Sequence, residues 1–204
     1  MFHMKQFQRE TCVSDQRLLR IEVYGSLLEK WQKKLNLVGG NSVVDLWNRH
    51  FFDSAQLFPL LPRLDCSTLD LGSGAGFPGL ILAIMGNTNV TLVESDSRKC
   101  AFLKEVIRST NISSSVRVEN CRIEDLSNYQ VDVITSRALA PLERLLELSE
   151  PFFSEDTICL FLKGKKADEE LIQAEKGWKM LVSKIQSKSC LTGVILKLED
   201  VKRR

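Results

Sequence analysis

The stretch Leu69-Asp-Leu-Gly-Ser-Gly-Ala-Gly-Phe-Pro-Gly79 decides the fold of this chain. The apolar residues before the glycines predict a short buried strand, and the apolar run Gly79–Met85 predicts a helix. Between them, the glycines predict a tight turn whose backbone can approach a ligand without Cβ atoms in between. These glycines are Gly72, Gly74, Gly76 and Gly79. A strand, a glycine turn and a helix in this order form a unit that binds nucleotides through backbone N–H groups.

Two classes of cofactor use such a turn, and the sequence contains both patterns. Gly74-x-Gly76-x-x-Gly79 matches the dinucleotide fingerprint. The same stretch also contains Asp70-x-Gly72-x-Gly74-x-Gly76, the pattern associated with S-adenosylmethionine. Asp70 favours the second interpretation, because a carboxylate at the end of the strand repels a pyrophosphate and attracts the methionine ammonium. The alternative is that Asp70 only accepts hydrogen bonds from the amides of the turn.

Composition limits the remaining possibilities. With 204 residues, 44% of them hydrophobic, the chain has the length of one domain with a modest extension. Its net charge of +2 restricts any RNA-binding surface to a local patch. The six cysteines have no C-x-x-C spacing and there are two histidines, so we expect no metal site and a reduced, cytoplasmic protein. There is no secretory signal, and glycines, Pro78 and polar residues interrupt the uncharged run 71–93, so we expect no membrane segment.

Two helices are predicted before the glycine turn, after an N-terminus that is frayed to about Val13. Ser14 can cap the first helix, which ends at Gly39-Gly40. Its predicted buried face consists of Leu19, Val23, Leu27, Trp31 and Leu35, spaced every fourth residue. The second helix is predicted from Val43 to Leu57, with Trp47, Phe51, Ala55 and Phe58 inward and a polar side made of Asn48, Arg49, His50, Asp53 and Ser54. We expect 1–66 to pack as a helical extension on a core of 67–204, as one compact unit.

Short strands alternate with helices after the turn. Predicted strands are Val90–Glu94, Val116–Val118, Val131–Thr135 and Thr157–Leu162, with a helix at Lys166–Val182 and a final strand, Val194–Leu198, antiparallel to one near Ile185. Repeated βα units predict an α/β fold with a mostly parallel sheet and a ligand at the carboxyl ends of the strands.

The residues at those strand ends are candidates for the site. Glu94 lies about 20 residues beyond the glycines, where a carboxylate can accept both ribose hydroxyls; the alternative is a surface acid. Glu124 follows the third strand and could border an adenine. Arg137 ends the fourth strand and Lys163 the fifth, with Arg122 nearby.

These strand ends also exclude some chemistry. There is no Asp/Asn-Pro-Pro-aromatic tetrapeptide for methylating an exocyclic amine, and no Pro-Cys nucleophile for attack at a pyrimidine carbon. Cations remain, without an obvious general base. Guanine N7 has an accessible lone pair and needs no deprotonation, so catalysis there can depend on proximity and orientation.

Together, several motifs resemble those of the 16S ribosomal RNA guanine-N7 methyltransferase family, also called glucose-inhibited division protein B. They are Asn36-Leu37, Arg49-His50-x-x-Asp53-Ser54, the glycine turn to Phe77-Pro78-Gly79, Glu94-Ser95, Ser136-Arg137-Ala138 and Leu162-Lys163-Gly164. The resemblance covers about Trp31 to Lys165. It implies a Rossmann-like class I methyltransferase with a seven-stranded sheet, an N-terminal helical cap and S-adenosylmethionine as cofactor. It also implies 16S rRNA as substrate, within the small ribosomal subunit, and we expect a monomer.

The resemblance also assigns residues. Cofactor contacts are implied for Gly72, Phe77, Ile123, Glu124 and Arg137. RNA-facing or catalytic roles are implied for Asn36, His50, Asp53, Arg122 and Lys163. Val38 and Glu94 depart from the family's usual threonine and aspartate, and Arg98-Lys99 inverts the usual order. The last forty residues carry no matching motif.

Two alternatives stay open at this point. The first is an NAD(P)-dependent oxidoreductase, which the dinucleotide fingerprint allows but Asp70 disfavours. The second is a non-catalytic RNA-binding factor of ribosome assembly that retains a vestigial cofactor turn. Binding of S-adenosylhomocysteine but not of NADH would distinguish a methyltransferase from the oxidoreductase. RNA that stays unchanged in the presence of excess cofactor would support the non-catalytic assembly factor.

Overall fold

A seven-stranded sheet forms the centre of the computed structural model, which describes residues 3–39 and 44–204. The strands are β1 Thr68–Leu71, β2 Val90–Val93, β3 Val116–Glu119, β4 Val133–Arg137, β5 Ile158–Lys163, β6 Trp178–Gln186 and β7 Val194–Arg203. Their order is β3-β2-β1-β4-β5-β7-β6. The pairs among β1 to β5 are parallel, and β7 is antiparallel to both β5 and β6. The predicted mostly parallel, Rossmann-like sheet is confirmed.

Helices cover both faces of this sheet. They are α1 Met4–Thr11, α2 Asp15–Gln32, α3 Asp53–Ala55, α4 Gly79–Met85, α5 Ser97–Ser109, α6 Leu142–Ser149 and α7 Ala167–Ala174. A π-helical segment, Trp47–Phe52, precedes α3, and single 3-10 turns lie at Phe58–Leu60, Ile123–Asp125 and Glu150–Phe152. One hydrophobic core joins the N-terminal helices to α4 and α5, and a second joins α6 and α7 to the sheet.

The N-terminal residues fold, so the prediction of a frayed segment to Val13 is wrong. Phe7 of α1 is fully buried, and its ring packs edge-on against that of Trp47 with 5.6 Å between centroids. Val13 is also buried. The local sequence is polar, and burial of the Phe7 ring against Trp47 stabilises this helix. That tertiary contact cannot be read from the local sequence.

Helix α2 begins as predicted, because the Ser14 hydroxyl accepts a hydrogen bond from the Arg17 amide at 3.4 Å. Its buried residues are others, namely Leu18, Ile21, Tyr24, Gly25 and Leu28. Leu27, Trp31 and Leu35 of the predicted face are partly buried and pack against the same core. Leu19 and Val23 are 59% and 40% exposed, since a strict four-residue spacing drifts around a helix that repeats every 3.6 residues. The helix ends at Gln32, whose side chain bonds to the backbone of Leu37 and Val38.

The polar side of the second helical segment is only partly exposed, with Arg49 exposed and Asp53 half-buried. His50 is 7% exposed and Ser54 is fully buried. Phe51 and Ala55 are buried as predicted. Both the predicted start of this helix, Val43, and Gly40 at the end of the preceding one lie outside the described residues.

The C-terminal region departs from the prediction of a helix from Lys166 to Val182. Helix α7 ends at Ala174, and Trp178 begins β6. Trp178 is buried, but Leu181 is 61% exposed, because alternate residues of a strand point to opposite faces. The predicted antiparallel pairing is confirmed, with Ile185 opposite Ile195.

Candidate active site

A cleft of about 1480 Å³ lies at the edge of the sheet where the parallel strands end. Its walls come from the glycine turn, the segments that follow β2 to β5, the segment Arg49–Asp53 and the loop between β6 and β7. Binding cavities for small molecules commonly measure about 300–1,000 Å³. The cleft therefore has room for a nucleoside cofactor together with part of a second ligand.

The glycine turn fits a cofactor cradle. Gly72, Gly74 and Gly76 all have positive φ, at +64°, +58° and +95°. A Cβ on Gly74 would have only the Gly72 carbonyl oxygen nearby, at 3.8 Å, so this position is open to the cleft that Gly74 lines. A Cβ on Gly76 would lie 2.4 Å from a methyl group of Leu80, and Gly76 does not line the cleft. Gly74 thus keeps the cradle empty of side chain, and Gly76 allows tight packing beneath it.

Asp70 lies beneath this turn rather than in the cleft. Its carboxylate is fully buried and accepts hydrogen bonds from the Thr135 hydroxyl at 2.7 Å and the Gly79 amide at 3.3 Å. Burial raises the pKa of Asp70 to about 6. This geometry supports the alternative that Asp70 holds the turn, and it gives no support to the predicted direct contact with the cofactor ammonium.

Glu94 holds the other side of the turn and also lines the cleft. It accepts hydrogen bonds from the Gly74 amide at 2.9 Å and from the Asp96 amide at 2.8 Å. An ionised carboxylate can accept about four hydrogen bonds. Glu94 can therefore accept ribose hydroxyls while it fixes the cradle.

Three further predicted cofactor residues line the cleft. Ile123 and Glu124 lie on the 3-10 turn after β3, and the Glu124 carboxylate pairs with Arg144 at 2.7 Å. The Phe77 ring stacks on that of Tyr24 with 5.3 Å between centroids. Ile123 and Glu124 thus lie on the side of the cleft next to β3, where the sequence predicts the nucleoside, whereas Phe77 lies beside Arg137 at the end of β4.

Arg137 is inserted between the end of β4 and the N-terminal segment. Its guanidinium donates to the Arg49 carbonyl oxygen at 3.0 Å and lies 3.7 Å from the Asp53 carboxylate. Its carbon Cζ lies 4.6 Å from the centre of the Phe77 ring. Arg137 also contacts Nδ1 of His50 at 2.8 Å. The structure thus brings together His50 and Arg137, two separately predicted site residues, and each holds the other.

The imidazole of His50 is neutral in this environment. Burial lowers the pKa of His50 to about 3, and the positive charges of Arg137 and Arg49 contribute to the shift. Because Arg137 is a donor only, Nδ1 must accept from it, which places the imidazole proton on Nε2. The lone pair at Nδ1 is therefore occupied in this structure.

Lys163, like Arg137, is held by several polar contacts. Its ammonium donates to the Ala140 carbonyl oxygen at 2.7 Å and to the Glu170 carboxylate at 2.8 Å, and the side chain is 8% exposed. The same Glu170 oxygen accepts from the Leu142 amide at 2.9 Å. Lys163 and Glu170 thereby fix the loop after β4. Arg122, in contrast, is exposed on the cleft, and its side chain makes no hydrogen bond or ion pair with the rest of the described chain.

Sequence reasoning missed several residues of the cleft. Leu139 lies over Gly72, where a Cβ on the glycine would approach its methyl group to 2.6 Å, and Glu170 holds Lys163. The loop between β6 and β7 contributes Ser187, Ser189, Cys190, Thr192 and Gly193. The loop carries no motif in the sequence, and its placement follows only from the pairing of β7 with β5.

Neither a metal-ligand cluster nor a membrane-spanning helix is present in the part of the chain that the structure describes. Within residues 3–39 and 44–204, no three His, Cys, Asp or Glu side chains cluster as a metal site. Across the same residues, every helix is too short or too polar to cross a bilayer.

Known proteins resemble this chain over most of its length. The profile of the family described as "GidB: rRNA small subunit methyltransferase G" matches residues 17–197. "Ribosomal RNA small subunit methyltransferase G" of Paramagnetospirillum magneticum is 51% identical over 191 residues, which cover 94% of this chain and 92% of that protein. The protein of the same name from Rhodospirillum rubrum is 47% identical, with 97% of each chain covered.

Solved structures support the fold. A TehB-like SAM-dependent methyltransferase from Corynebacterium glutamicum superposes with a TM-score of 0.60 at 16% identity, covering 88% of this chain and 98% of that one. M. jannaschii TYW2, solved in complex with AdoMet, gives a TM-score of 0.54 at 16% identity, with 73% and 74% covered. At these identities the likeness concerns the fold alone, whereas the matched profile and the close relatives concern the whole chain. The chain belongs to the GidB family of small-subunit ribosomal RNA methyltransferases.

Proposed function

We propose that this protein transfers a methyl group from S-adenosylmethionine to N7 of one guanine in 16S rRNA. The observation that carries the proposal is the cleft itself. A glycine cradle held by Glu94 borders one side, and the cationic strand ends with Arg137 and Lys163 border the other. Membership of a family of small-subunit rRNA methyltransferases supports RNA as the substrate and disfavours the oxidoreductase alternative.

The cofactor contacts follow from this arrangement. Gly72, Gly74 and Phe77 would border the methionine part, and Glu94 would accept the ribose hydroxyls, with Ile123 and Glu124 beside the adenine. When bound, the cofactor would supply a methyl group attached to a sulfonium, and the neutral S-adenosylhomocysteine that leaves as the guanine N7 lone pair takes this methyl group would need no protonation.

The chain's own part in the reaction is to orient the base. Methylation at N7 makes the guanine cationic, so a cation directly beside N7 would oppose the reaction. Arg137 and Lys163 are already directed toward carbonyl, imidazole and carboxylate partners. We therefore assign them to shaping the pocket and to contacts with guanine O6 or flanking phosphates. Arg122, exposed on the cleft, is placed to meet the RNA backbone.

We extend the proposal to the setting of the reaction. The substrate is the rRNA within the small ribosomal subunit, and the enzyme acts in the cytoplasm as a monomer without a metal. The helical extension 1–66 and the core 67–204 act as one unit, since Arg137 of the core is bound by the segment Arg49–Asp53 of the extension.

Mass mapping of RNA tests the proposed function. Small subunits from cells that lack this gene are incubated with the purified protein and S-adenosylmethionine, and the rRNA is digested and analysed. We expect one guanine to gain a methyl group. If the methyl group is on N7, the RNA strand is cleaved at this guanine by reduction of the base followed by aniline treatment. RNA that stays unchanged with excess cofactor would instead support the non-catalytic assembly factor.

A further inference from the structure

The loop between β6 and β7, residues 187–193, lies at the rim of the cleft although it carries no recognised motif. Strand β7 runs antiparallel to β5, and Val194 at its start pairs with Lys163 at the end of β5. The loop that precedes Val194 is therefore at the same edge of the sheet as the glycine turn. It lies on the β5 side of that edge, away from β2 and β3, whose ends carry the cofactor residues.

Side chains of the N-terminal segment anchor the base of this loop. The Asp53 carboxylate accepts hydrogen bonds from the hydroxyls of both Ser187 and Ser189. The Gln56 side chain accepts from the Lys188 amide at 2.7 Å and donates to the Ser187 hydroxyl at 3.2 Å. Such a set of bonds fixes the loop before any ligand binds, which lowers the entropy cost of binding.

Asp53 connects the loop to the reaction site. One oxygen of its carboxylate bonds to the two serine hydroxyls, and the other lies 3.7 Å from the guanidinium of Arg137. The Asp53 side chain is 18% exposed and that of Arg137 is 17% exposed, so both groups are largely withdrawn from solvent. Movement of Asp53 would therefore displace the loop and Arg137 together.

The tip of the loop, by contrast, projects into solvent. Leu191 is 97% exposed, the highest value among the exposed large apolar side chains of the described residues. The side chain of Lys188 is exposed and makes no ion pair with the rest of the described chain. An exposed apolar group and an exposed cation on one loop suit unpaired RNA, whose bases pack on side chains while the phosphates contact lysines.

We propose that the β6–β7 loop binds the unpaired nucleotides that flank the target guanine, and that Asp53 is the residue that positions this loop. The proposal rests on the proposed function, because it names the part of the molecule that holds the same RNA substrate. The loop lies on the β5 half of the edge, opposite the ends of β2 and β3 that carry the proposed nucleoside contacts, so it leaves the cofactor side of the cleft free.

The first experiment measures RNA binding separately from methyl transfer. Affinity for small subunits and for protein-free 16S rRNA is determined in the presence of S-adenosylhomocysteine. We expect Leu191→Ser to weaken binding about tenfold, as for the loss of one buried leucine contact. We expect Lys188→Gln to reduce the slope of log affinity against log salt by roughly 1. Both variants should bind S-adenosylhomocysteine as the wild type does.

Matched controls come from β6 outside the cleft. Leu181, 61% exposed, is changed to Ser, and Lys179 to Gln, and both controls should bind RNA like the wild type. Loop variants that bind like these controls would overturn the proposal. A wild-type protein that binds RNA but transfers no methyl group would refute only the proposed activity, so the two failures are distinguishable.

A crosslink identifies what the loop contacts. With p-benzoylphenylalanine at position 191, irradiation of the complex with small subunits should attach the protein to rRNA near the methylated guanine. A crosslink to a ribosomal protein, or to none of the components, would refute RNA binding by the loop.

The role of Asp53 is tested by a conservative rescue. Asp53→Ala should raise KM for the small subunit several-fold more than it changes the affinity for S-adenosylhomocysteine. Asp53→Glu keeps a carboxylate that can accept from the serine hydroxyls and face Arg137, and it should restore part of the loss in KM. If Asp53→Ala does not fold, the double variant Ser187→Ala/Ser189→Ala removes the same bonds from the loop side. Unchanged KM in that variant, or equal loss in the Ala and Glu variants, would contradict the positioning role.

Discussion

Arg137 at the end of β4 and His50 in the N-terminal segment contact each other through the guanidinium and Nδ1, 2.8 Å apart. This contact joins the helical extension to the sheet at the edge where the cofactor turn lies. It also fixes the chemistry of His50, which is neutral and already accepts a hydrogen bond at Nδ1. His50 therefore serves to hold Arg137 in place, and in this arrangement Nδ1 is not free to remove a proton from a substrate.

The first prediction concerns stability at acid pH. The pKa of His50 is about 3 in the folded protein, against an ordinary value of 6.5. Between these values the unfolded chain binds more protons, so His50 makes stability rise with pH, and its contribution is lost as the pH falls below about 6.5. His50→Asn keeps an acceptor near the position of Nδ1 and has no ionisable group. We expect its unfolding free energy, from urea titrations, to fall less steeply toward acid pH.

The control for this experiment is His3→Asn, which makes the same change of side chain at an exposed position away from Arg137. Asp70 acts in the opposite direction, because its pKa is raised to about 6 and its contribution is lost as the pH rises through that value. The difference between variant and wild type therefore isolates His50. Parallel curves for His50→Asn and wild type would show that the imidazole is not neutralised by folding.

The second prediction concerns the cradle. Gly74→Val should abolish binding of S-adenosylmethionine, because the side chain would project into the cleft from a position that is open in the ligand-free structure. Gly74→Asn separates this effect from backbone strain, since asparagine tolerates positive φ better than other non-glycine residues. Gly177→Val is the control, because Gly177 has open space around it and lies outside the cleft. Full affinity of folded Gly74→Asn in calorimetry would remove Gly74 from the site.

The third prediction concerns Glu94, which the structure gives two roles. Glu94→Ala should weaken cofactor binding by about 1.5–3 kcal/mol, the range for a hydrogen-bond partner that carries charge. It should also lower the melting temperature without ligand, because the amides of Gly74 and Asp96 lose their acceptor. Glu94→Asp, which keeps a carboxylate at this position, should recover cofactor affinity. A lower melting temperature with unchanged affinity would limit Glu94 to holding the turn.

Local sequence signals were sufficient for the parallel strands of the sheet and for the glycine turn. Four-residue strands that are buried throughout, such as Thr68–Leu71 and Val90–Val93, need only apolar runs bounded by turns to be recognised. The errors lie where distant contacts decide the local structure. Phe7 orders α1 through Trp47, and Trp178 begins a strand that exists because β7 offers it a partner.

In the site, the residues at the strand ends could be predicted from the sequence, but the side chains that hold them could not. Strand ends identified Glu94, Arg137 and Lys163, because parallel strands bring their carboxyl ends to one edge. Their partners were not visible in the sequence. Glu170 and Ser189 reach the site from α7 and the β6–β7 loop, and no short motif marks them. Asp70 shows the opposite case, a motif residue whose burial places it under the ligand cradle.

The last prediction concerns the absence of a general base. The Lys163 ammonium donates hydrogen bonds to the Ala140 carbonyl oxygen and the Glu170 carboxylate, and its side chain is 8% exposed. These contacts hold it as a hydrogen-bond donor, so it is not free to accept a proton. Guanine N7 needs no deprotonation. The single-turnover rate of methyl transfer at saturating substrates should therefore change little between about pH 6.5 and 9, where a required base would produce a titration.

Lys163→Met should lower the rate at every pH, since it releases the loop after β4, and the profile should stay flat. The matched control is Lys184→Met, because Lys184 forms a comparable pair with Asp168 at an exposed position outside the cleft. A steep rise of the wild-type rate across that range, lost in Lys163→Met but kept in Lys184→Met, would show that Lys163 acts as a base.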